Sequence, residues 1–194
     1  MVNYKYILAS GSPRRRELLD GLELNYEVRL LPDIDESYPE TLKGEAIPLE
    51  ISRKKAEAYR PTMADDELII TADTIVSIDG KVLGKPATEV EACEMLRLLS
   101  GKSHEVITGV TLLTKERQHS FASTSKVTFA NLTDEEIKHY VSRHRPLDKA
   151  GAYGIQEWIG YIGVTRIEGS YFNVMGLPVQ RLYAELKAFI TLNP

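Results

Sequence analysis

A single cysteine, Cys93, stands among 194 residues, so the chain can close no internal disulfide and carries no CxxC pair for zinc or redox chemistry. Cys93 itself reads as a small buried position in a helix. The four histidines (His104, His119, His139 and His144) lack the spacing of metal ligands and read as surface residues. No apolar run is long enough to cross a membrane. The stretch from Tyr4 to Ala9 is too short for the apolar part of a secretory signal and runs directly into arginines, so a cytoplasmic protein is expected. An excess of positive charge is also missing: 24 basic residues against 28 acidic ones leave a net charge of −4. That balance offers no polycation for duplex DNA or anionic lipid, so neither nucleic acid nor membrane is an expected partner. The Walker A ending, GxGxxG and the GxSxG elbow are all absent. No repeat or long linker interrupts residues 1–194, which read as one folding unit with a proper core or with two small lobes sharing a cleft.

What the chain does carry begins at Ile7-Leu8-Ala9-Ser10-Gly11-Ser12-Pro13-Arg14-Arg15-Arg16. It reads as a short apolar strand, a tight polar turn and a helix from Pro13 to about Leu22. Proline costs nothing at the first helical position, where its missing N–H would be unpaired anyway. Ser12 is placed to cap the free amides of the first turn. Three arginines at a helix N-terminus oppose the helix dipole unless an anion offsets them. Together with the hydroxyls of Ser10 and Ser12, the turn therefore reads as an anion site.

Along the chain, a strand is expected at Tyr26–Leu30, a polar acidic stretch from Pro32 to Gly44, and a helix from Ile47 to Tyr59 with Leu49, Ser52, Ala56 and Tyr59 on one face. Leu68–Val76 is the most strand-like run, apolar enough for a central strand covered on both faces. Asp79-Gly80 marks a hairpin turn. Thr88-x-x-Glu91 and Thr133-x-x-Glu136 are capping boxes opening helices to Leu99 and about His144. Between them, His104–Thr114 and Ser120–Asn131 form a long hairpin. Arg145 to Gly163 shows no regular period and reads as a functional loop. A strand at Gly163–Ile167, a turn at Glu168–Ser170 and a helix from Pro178 to Ile190 complete a mixed α/β sheet with some antiparallel pairing.

Asp73, read as closing the apolar strand, is the sharpest candidate, because a carboxylate there is costly unless it is paired, hydrogen-bonded or metal-bound. The competing reading is an Asp capping a turn with Thr74. Lys85, in the rigid Gly84-Lys85-Pro86 turn, suits a phosphate contact. Among Arg53, Lys54 and Lys55 the sequence does not say which cation points inward. Asp35 and Glu36 could offer oxygens to Mg²⁺, which takes one or two carboxylates besides substrate phosphates, or could simply be solvated. Gln156 closes the glycine-spaced Asp148–Gln156 loop with one donor and one acceptor, enough to read a nucleobase edge. Trp158 and Tyr161 suit base stacking, packing or a dimer interface equally.

Six ordered motifs, Ala9–Arg15, Ala72–Val76, Gly84–Pro86, Leu99–Lys102, Asp148–Gln156 and Gly176–Pro178, together resemble the Maf family of nucleoside triphosphate pyrophosphatases over about residues 6 to 184. The resemblance implies one Maf-like domain over 1–194, a mixed, twisted central sheet flanked by helices, and two lobes around a central cleft, like the inosine triphosphate pyrophosphatases. It implies hydrolysis of a nucleoside triphosphate to the monophosphate and pyrophosphate with a divalent cation (Mg²⁺ or Mn²⁺), homodimer formation, and a link in some members to inhibition of septum formation. By position, Asp73 takes the role of general base, with Lys85 and Glu36 beside it in catalysis and Asp73 and Glu36 toward the metal. Ser10, Arg14, Arg15 and Lys55 match substrate and phosphate positions, Ser12 completes that turn, and Arg14, Thr74 and Gln156 match positions tied to base choice. The Gly-Ile-Gln ending resembles the subgroup acting on dTTP and UTP, and Glu157 stands where a smaller residue is more usual. The alternatives are a pyrophosphatase for 7-methyl-GTP or another purine nucleotide, and a nucleotide-binding regulator of cell division without hydrolysis.

Overall fold

The computed structural model describes residues 4–191. In chain order the elements are β1 (Lys5–Leu8), α1 (Pro13–Asp20), β2 (Tyr26–Val28), α2 (Ala46–Glu57), β3 (Glu67–Ile78), β4 (Lys81–Leu83), α3 (Glu89–Leu99), β5 (Ser103–Leu113), β6 (Gln118–Phe129), α4 (Asp134–His144), α5 (Trp158–Gly163), β7 (Val164–Glu168), α6 (Tyr171–Met175) and α7 (Val179–Thr191). The seven strands among the described residues make one sheet in the order β2-β1-β3-β5-β6-β7, with β4 also paired to β3. β1 runs parallel to β2 and to β3, while β4 on β3 and β7 on β6 are antiparallel. Parallel neighbours need a crossover of a dozen residues or more, and α1 and α2 supply the two on either side of β2. This is the expected mixed α/β sheet flanked by helices.

The chain divides into two compact units, Met1–Asp73 with Thr108–Ser123 and Gly176–Pro194, and Thr74–Ile107 with Thr124–Met175. In the first, Ile7, Ala56, Tyr59, Met63, Ile69 and Leu113 form a buried cluster against which Leu31 and Ile34 pack. The central strands read as continuous apolar runs because both faces are covered: Ile7, Leu8 and Leu68–Ile70 have no exposed surface. α2 lies directly on β5, and any side chain at Gly109 would overlap the backbone of Pro48 and Leu49. The Ser52 hydroxyl meets the Thr111 hydroxyl at 2.9 Å, and the Thr71 hydroxyl donates to the Ser52 carbonyl at 2.7 Å. These two bonds set the rotation of α2 about its axis, and with it the direction of Lys55 one turn on. Arg29 forks onto the buried Glu67 at 2.8 and 2.5 Å, which holds the Glu67 carboxyl down to about 2 despite burial.

In the second unit, Asp79 and Gly80 both take positive φ (50° and 78°), the geometry of a two-residue hairpin turn. Thr133 and Glu136 complete a reciprocal capping box, whereas Glu91 at the Thr88 cap reaches past it to the Ala87 N–H. His104 is buried, not on the surface as expected, edge-on to Phe129 and Tyr153 with its Nε2 2.7 Å from the Tyr153 hydroxyl. Burial pushes its pKa down to about 4, so it is neutral in the folded chain at neutral pH.

Several expectations need correction. Asp73 is the seventh of twelve residues in β3 and not at its end, because Thr74–Ile78 continue the strand against β4. Residues 145–163 are not wholly irregular: a 3-10 turn at Ala150–Ala152 and the helix α5 lie within them. α6 was not anticipated, since five residues are too few to show a period. α1 ends at Asp20, before Leu22.

Gly109→Ala is expected to cost about 1–3 kcal/mol, the range for overpacking a tight contact, read as a lowered Tm. Glu67 stabilises the fold above its ordinary pKa of 4.5, and this contribution is lost as pH falls towards about 2. Glu67→Gln should therefore lower stability at neutral pH and flatten the loss of stability between those two pH values in acid unfolding curves.

Candidate active site

The first turn of α1 forms as its residues dictate. Ser12 has extended backbone angles, and its hydroxyl accepts the Arg15 N–H at 3.4 Å, with Pro13 starting the helix. Ser10 is buried behind it, its Oγ accepting the Ser12 N–H at 3.3 Å and the Arg15 Nη1 at 3.4 Å. Arg15 does not project outward. Its Nη1 donates to the Ala72 carbonyl at 2.8 Å and its Nε to the Gly176 carbonyl at 2.9 Å. The guanidinium thus ties α1 to the residue preceding Asp73. Burial, the largest influence, lowers its pKa, and Asp73 and Glu36 oppose that from nearby. An arginine stays charged through such shifts, so Arg15 brings a fixed positive charge to Asp73. Arg14, half-buried on the same turn, adds a second charge beside it.

Lys55 is the inward-pointing cation of the three on α2. Its Nζ lies 2.9 Å from Asp73 Oδ1 and 3.0 Å from Glu36 Oε1. Lys55 and Asp73 side chains are only 12% and 14% exposed, so this contact is stronger than a surface pair, while Glu36 at 51% remains open to solvent. Lys54 instead takes Asp35 at 3.1 Å and the Ser37 carbonyl at 2.7 Å. Ser37 bonds Asp35 through both hydroxyl and N–H, and these bonds with Lys54 hold the Asp35 carboxyl down to about 2. Of the two acidic-loop residues, Glu36 is the one that shares a partner with Asp73. Asp35 anchors the loop.

Asp73 and Glu36 are the carboxylates that could hold a divalent cation. Two carboxylates converge on one positively charged atom, and among the described residues no cluster of three His, Cys, Asp or Glu side chains forms a closed metal cage. Mg²⁺ sites that also use substrate phosphates have this sparse protein ligation.

The second unit holds the remaining candidates. Thr74 is half-buried in β3. Lys85 is exposed in the turn after β4, and the Gly84 carbonyl before it accepts the Gly151 N–H at 3.1 Å. Gly151 has a φ of 68°, and a Cβ there would stand 2.9 Å from Val76, so only glycine lets the 148–156 loop close onto this turn. Gln156 follows in that loop, its amide oxygen buried without a hydrogen-bond partner among the described residues. Ser10, Ser12, Arg14, Arg15, Glu36, Lys55 and Asp73 therefore gather in the first unit, and Thr74, Lys85 and Gln156 belong to the second.

Sequence reasoning missed three contributors. The Gly176 carbonyl holds Arg15, a role that a backbone atom in a Gly-Leu-Pro turn does not advertise. Lys149 and Glu157 form a sheltered ion pair at 3.1 Å flanking Gln156, and the bulk of Glu157 after the glutamine was the available signal.

No described helix is long and apolar enough to cross a membrane. Among curated proteins, the chain is 65% identical over 184 residues to the dTTP/UTP pyrophosphatase of Phocaeicola vulgatus, covering 95% of both chains. It is 62% identical over 184 residues to the protein of the same name from Bacteroides thetaiotaomicron, again covering 95% of each. Among solved structures, the Staphylococcus aureus Ham1 protein superposes with a TM-score of 0.53 at 17% identity, covering 95% of this chain and 98% of the other. That likeness concerns the fold alone, and it agrees with the inosine triphosphate pyrophosphatase-like sheet expected from the motifs. The model of Maf-like proteins matches residues 5–189, taking in both compact units and every motif noted in the sequence, and the chain is accordingly a member of the Maf family.

Proposed function

We propose that this protein is a nucleoside triphosphate pyrophosphatase that hydrolyses dTTP and UTP to the monophosphate and pyrophosphate. The observation that carries the reading is Lys55 held between Asp73 and Glu36, beside the arginine-bearing turn of α1. The names of the relatives, identical at nearly two residues in three, point to the same pair of substrates.

In this reading Asp73 orients a water molecule and takes its proton as the water oxygen attacks the α-phosphorus. The bond from the α-phosphorus to the bridging oxygen breaks, and that oxygen leaves with pyrophosphate. Lys55, Arg14 and Lys85 meet the charge on the phosphate oxygens, where cations fixed before the reaction contribute most. Ser10, Ser12 and Arg15 shape the phosphate-binding turn, with Arg15 acting mainly through its charge and through its hold on residue 72. Asp73 and Glu36 would hold Mg²⁺ or Mn²⁺, which would supply Lewis-acid stabilisation of the phosphate oxygens. Until substrate arrives, Lys55 bridges the two carboxylates, and the incoming phosphates offer it alternative anions. Gln156 and Thr74 set base choice. We further propose that residues 1–194 act as one Maf-like domain and that the protein is a cytoplasmic homodimer. The exposed apolar surface of Tyr161, Ile162 and Phe172 supports dimer formation.

Asp73→Asn should lower kcat by roughly 10²- to 10⁴-fold with nucleotide binding retained. Unchanged turnover would remove Asp73 from the chemistry. Chelation of divalent cations should abolish pyrophosphate release from purified protein, and added Mg²⁺ should restore it. Across a panel of triphosphates, dTTP and UTP should show the highest kcat/KM. A leading purine or 7-methylated nucleotide would overturn the substrate assignment, and no pyrophosphate release with any of them would favour a non-hydrolytic regulator.

A further inference from the structure

Tyr140, on α4, has no exposed surface, yet its hydroxyl makes two bonds to the segment that carries Gln156. It accepts the Gly154 N–H at 3.0 Å and donates to Glu157 Oε2 in a short contact. Gly154 and Glu157 are also joined directly, the Glu157 N–H donating to the Gly154 carbonyl at 3.0 Å. Residues 154–157 therefore form a single tight turn with Ile155 and Gln156 at its tip, and one phenol oxygen grips both ends.

The second carboxylate oxygen of Glu157 takes Lys149 Nζ at 3.1 Å, and the same ammonium meets Asp148 Oδ1 at 2.7 Å. Lys149 is buried, so removing the Glu157 charge would leave a desolvated cation with one exposed partner. Two glycines make this packing possible. A Cβ at Gly154 would stand 2.8 Å from Glu157 Cδ, and one at Gly160 would overlap the Ile155 carbonyl. The turn is thus pinned by Tyr140 from α4, by Lys149 from the preceding loop and by α5 behind it. None of these groups bonds the Gln156 amide oxygen, which is buried without a hydrogen-bond partner among the described residues.

We propose that Tyr140, Glu157 and Lys149 form a positioning clamp that orients Gln156 and thereby sets the preference for pyrimidine bases, without touching substrate. This rests on the reading of Gln156 as a base-contacting residue. A base-reading amide discriminates only if it cannot turn to suit another edge, because a mobile one can offer donor and acceptor in either order. A purely structural clamp would affect stability alone, whereas a positioning clamp alters discrimination.

The test compares Tyr140→Phe, Glu157→Gln and Gln156→Ala in the full chain. Each is assayed for kcat and KM with dTTP, UTP, dGTP and ATP, and for melting temperature. Tyr140→Phe and Glu157→Gln should each lower the ratio of pyrimidine to purine kcat/KM by roughly 3- to 10-fold, the scale of one hydrogen bond. The change should fall mainly on KM for dTTP and UTP, and Gln156→Ala should lower the same ratio at least as far. A lowered melting temperature with the ratio unchanged in both clamp variants, while Gln156→Ala does lower it, would overturn the clamp and leave the reading of Gln156 standing. If Gln156→Ala also leaves the ratio unchanged, the base assignment falls and the clamp with it. Should Tyr140→Phe fail to fold, Glu157→Gln, which keeps side-chain volume, decides the matter by the same ratio.

Discussion

Two carboxylates and one ammonium organise the first unit. Asp73 and Glu36 each approach Lys55 Nζ to 3 Å or less, an arrangement that would be repulsive between the acids if the lysine were elsewhere. Because Lys55 and Asp73 are mostly withdrawn from solvent, their attraction is screened little and a misplaced lysine would leave a costly unpaired charge. The surrounding structure secures that placement. Gly109 lets α2 rest on β5, and the hydroxyls of Ser52, Thr71 and Thr111 fix its rotation. Lys54, one residue earlier, fastens the acidic loop through Asp35 and Ser37, which brings Glu36 to its place. Consecutive lysines on one helix therefore do different work because they point about 100° apart.

The second unit solves a related problem with a buried phenol. Tyr140 links α4 to both ends of the turn bearing Gln156, and Lys149 balances the carboxylate that this arrangement buries. Arg15 works on the same principle in the first unit, where its Nε and Nη1 both donate to backbone carbonyls. A charged side chain whose donors go to main-chain acceptors acts as a brace as well as a charge, and it fixes the backbone beside Asp73.

Local signals were legible where the physics is local. The Ser12 cap, Pro13 at the first helical position, the Thr133–Glu136 box and the Asp79-Gly80 turn depend on contacts within four residues, and each occurs where the sequence indicates. The buried strand β3 was legible because continuous apolar character follows from coverage on both faces. The position of Asp73 within it was misjudged, since β4 extends the strand through a pairing visible only after folding. α5 and α6, of six and five residues, are too short to declare a period. His104 reads as a surface residue in sequence, because nothing in its neighbours announces Phe129 and Tyr153, which reach it from distant elements.

By itself the sequence determined the fold class, the capped turn opening α1 and the likeness to the Maf family, because apolar periodicity, capping and motif order are properties of the chain read in one dimension. Only the tertiary structure decided that Lys55 and not Lys54 meets Asp73, that Glu36 and not Asp35 shares that partner, that Arg15 turns inward, and that Tyr140 grips the turn around Gln156. The direction in which a charged side chain points is set by groups brought close from far along the chain, whose attraction depends on distance and burial, and neither exists until the chain has folded.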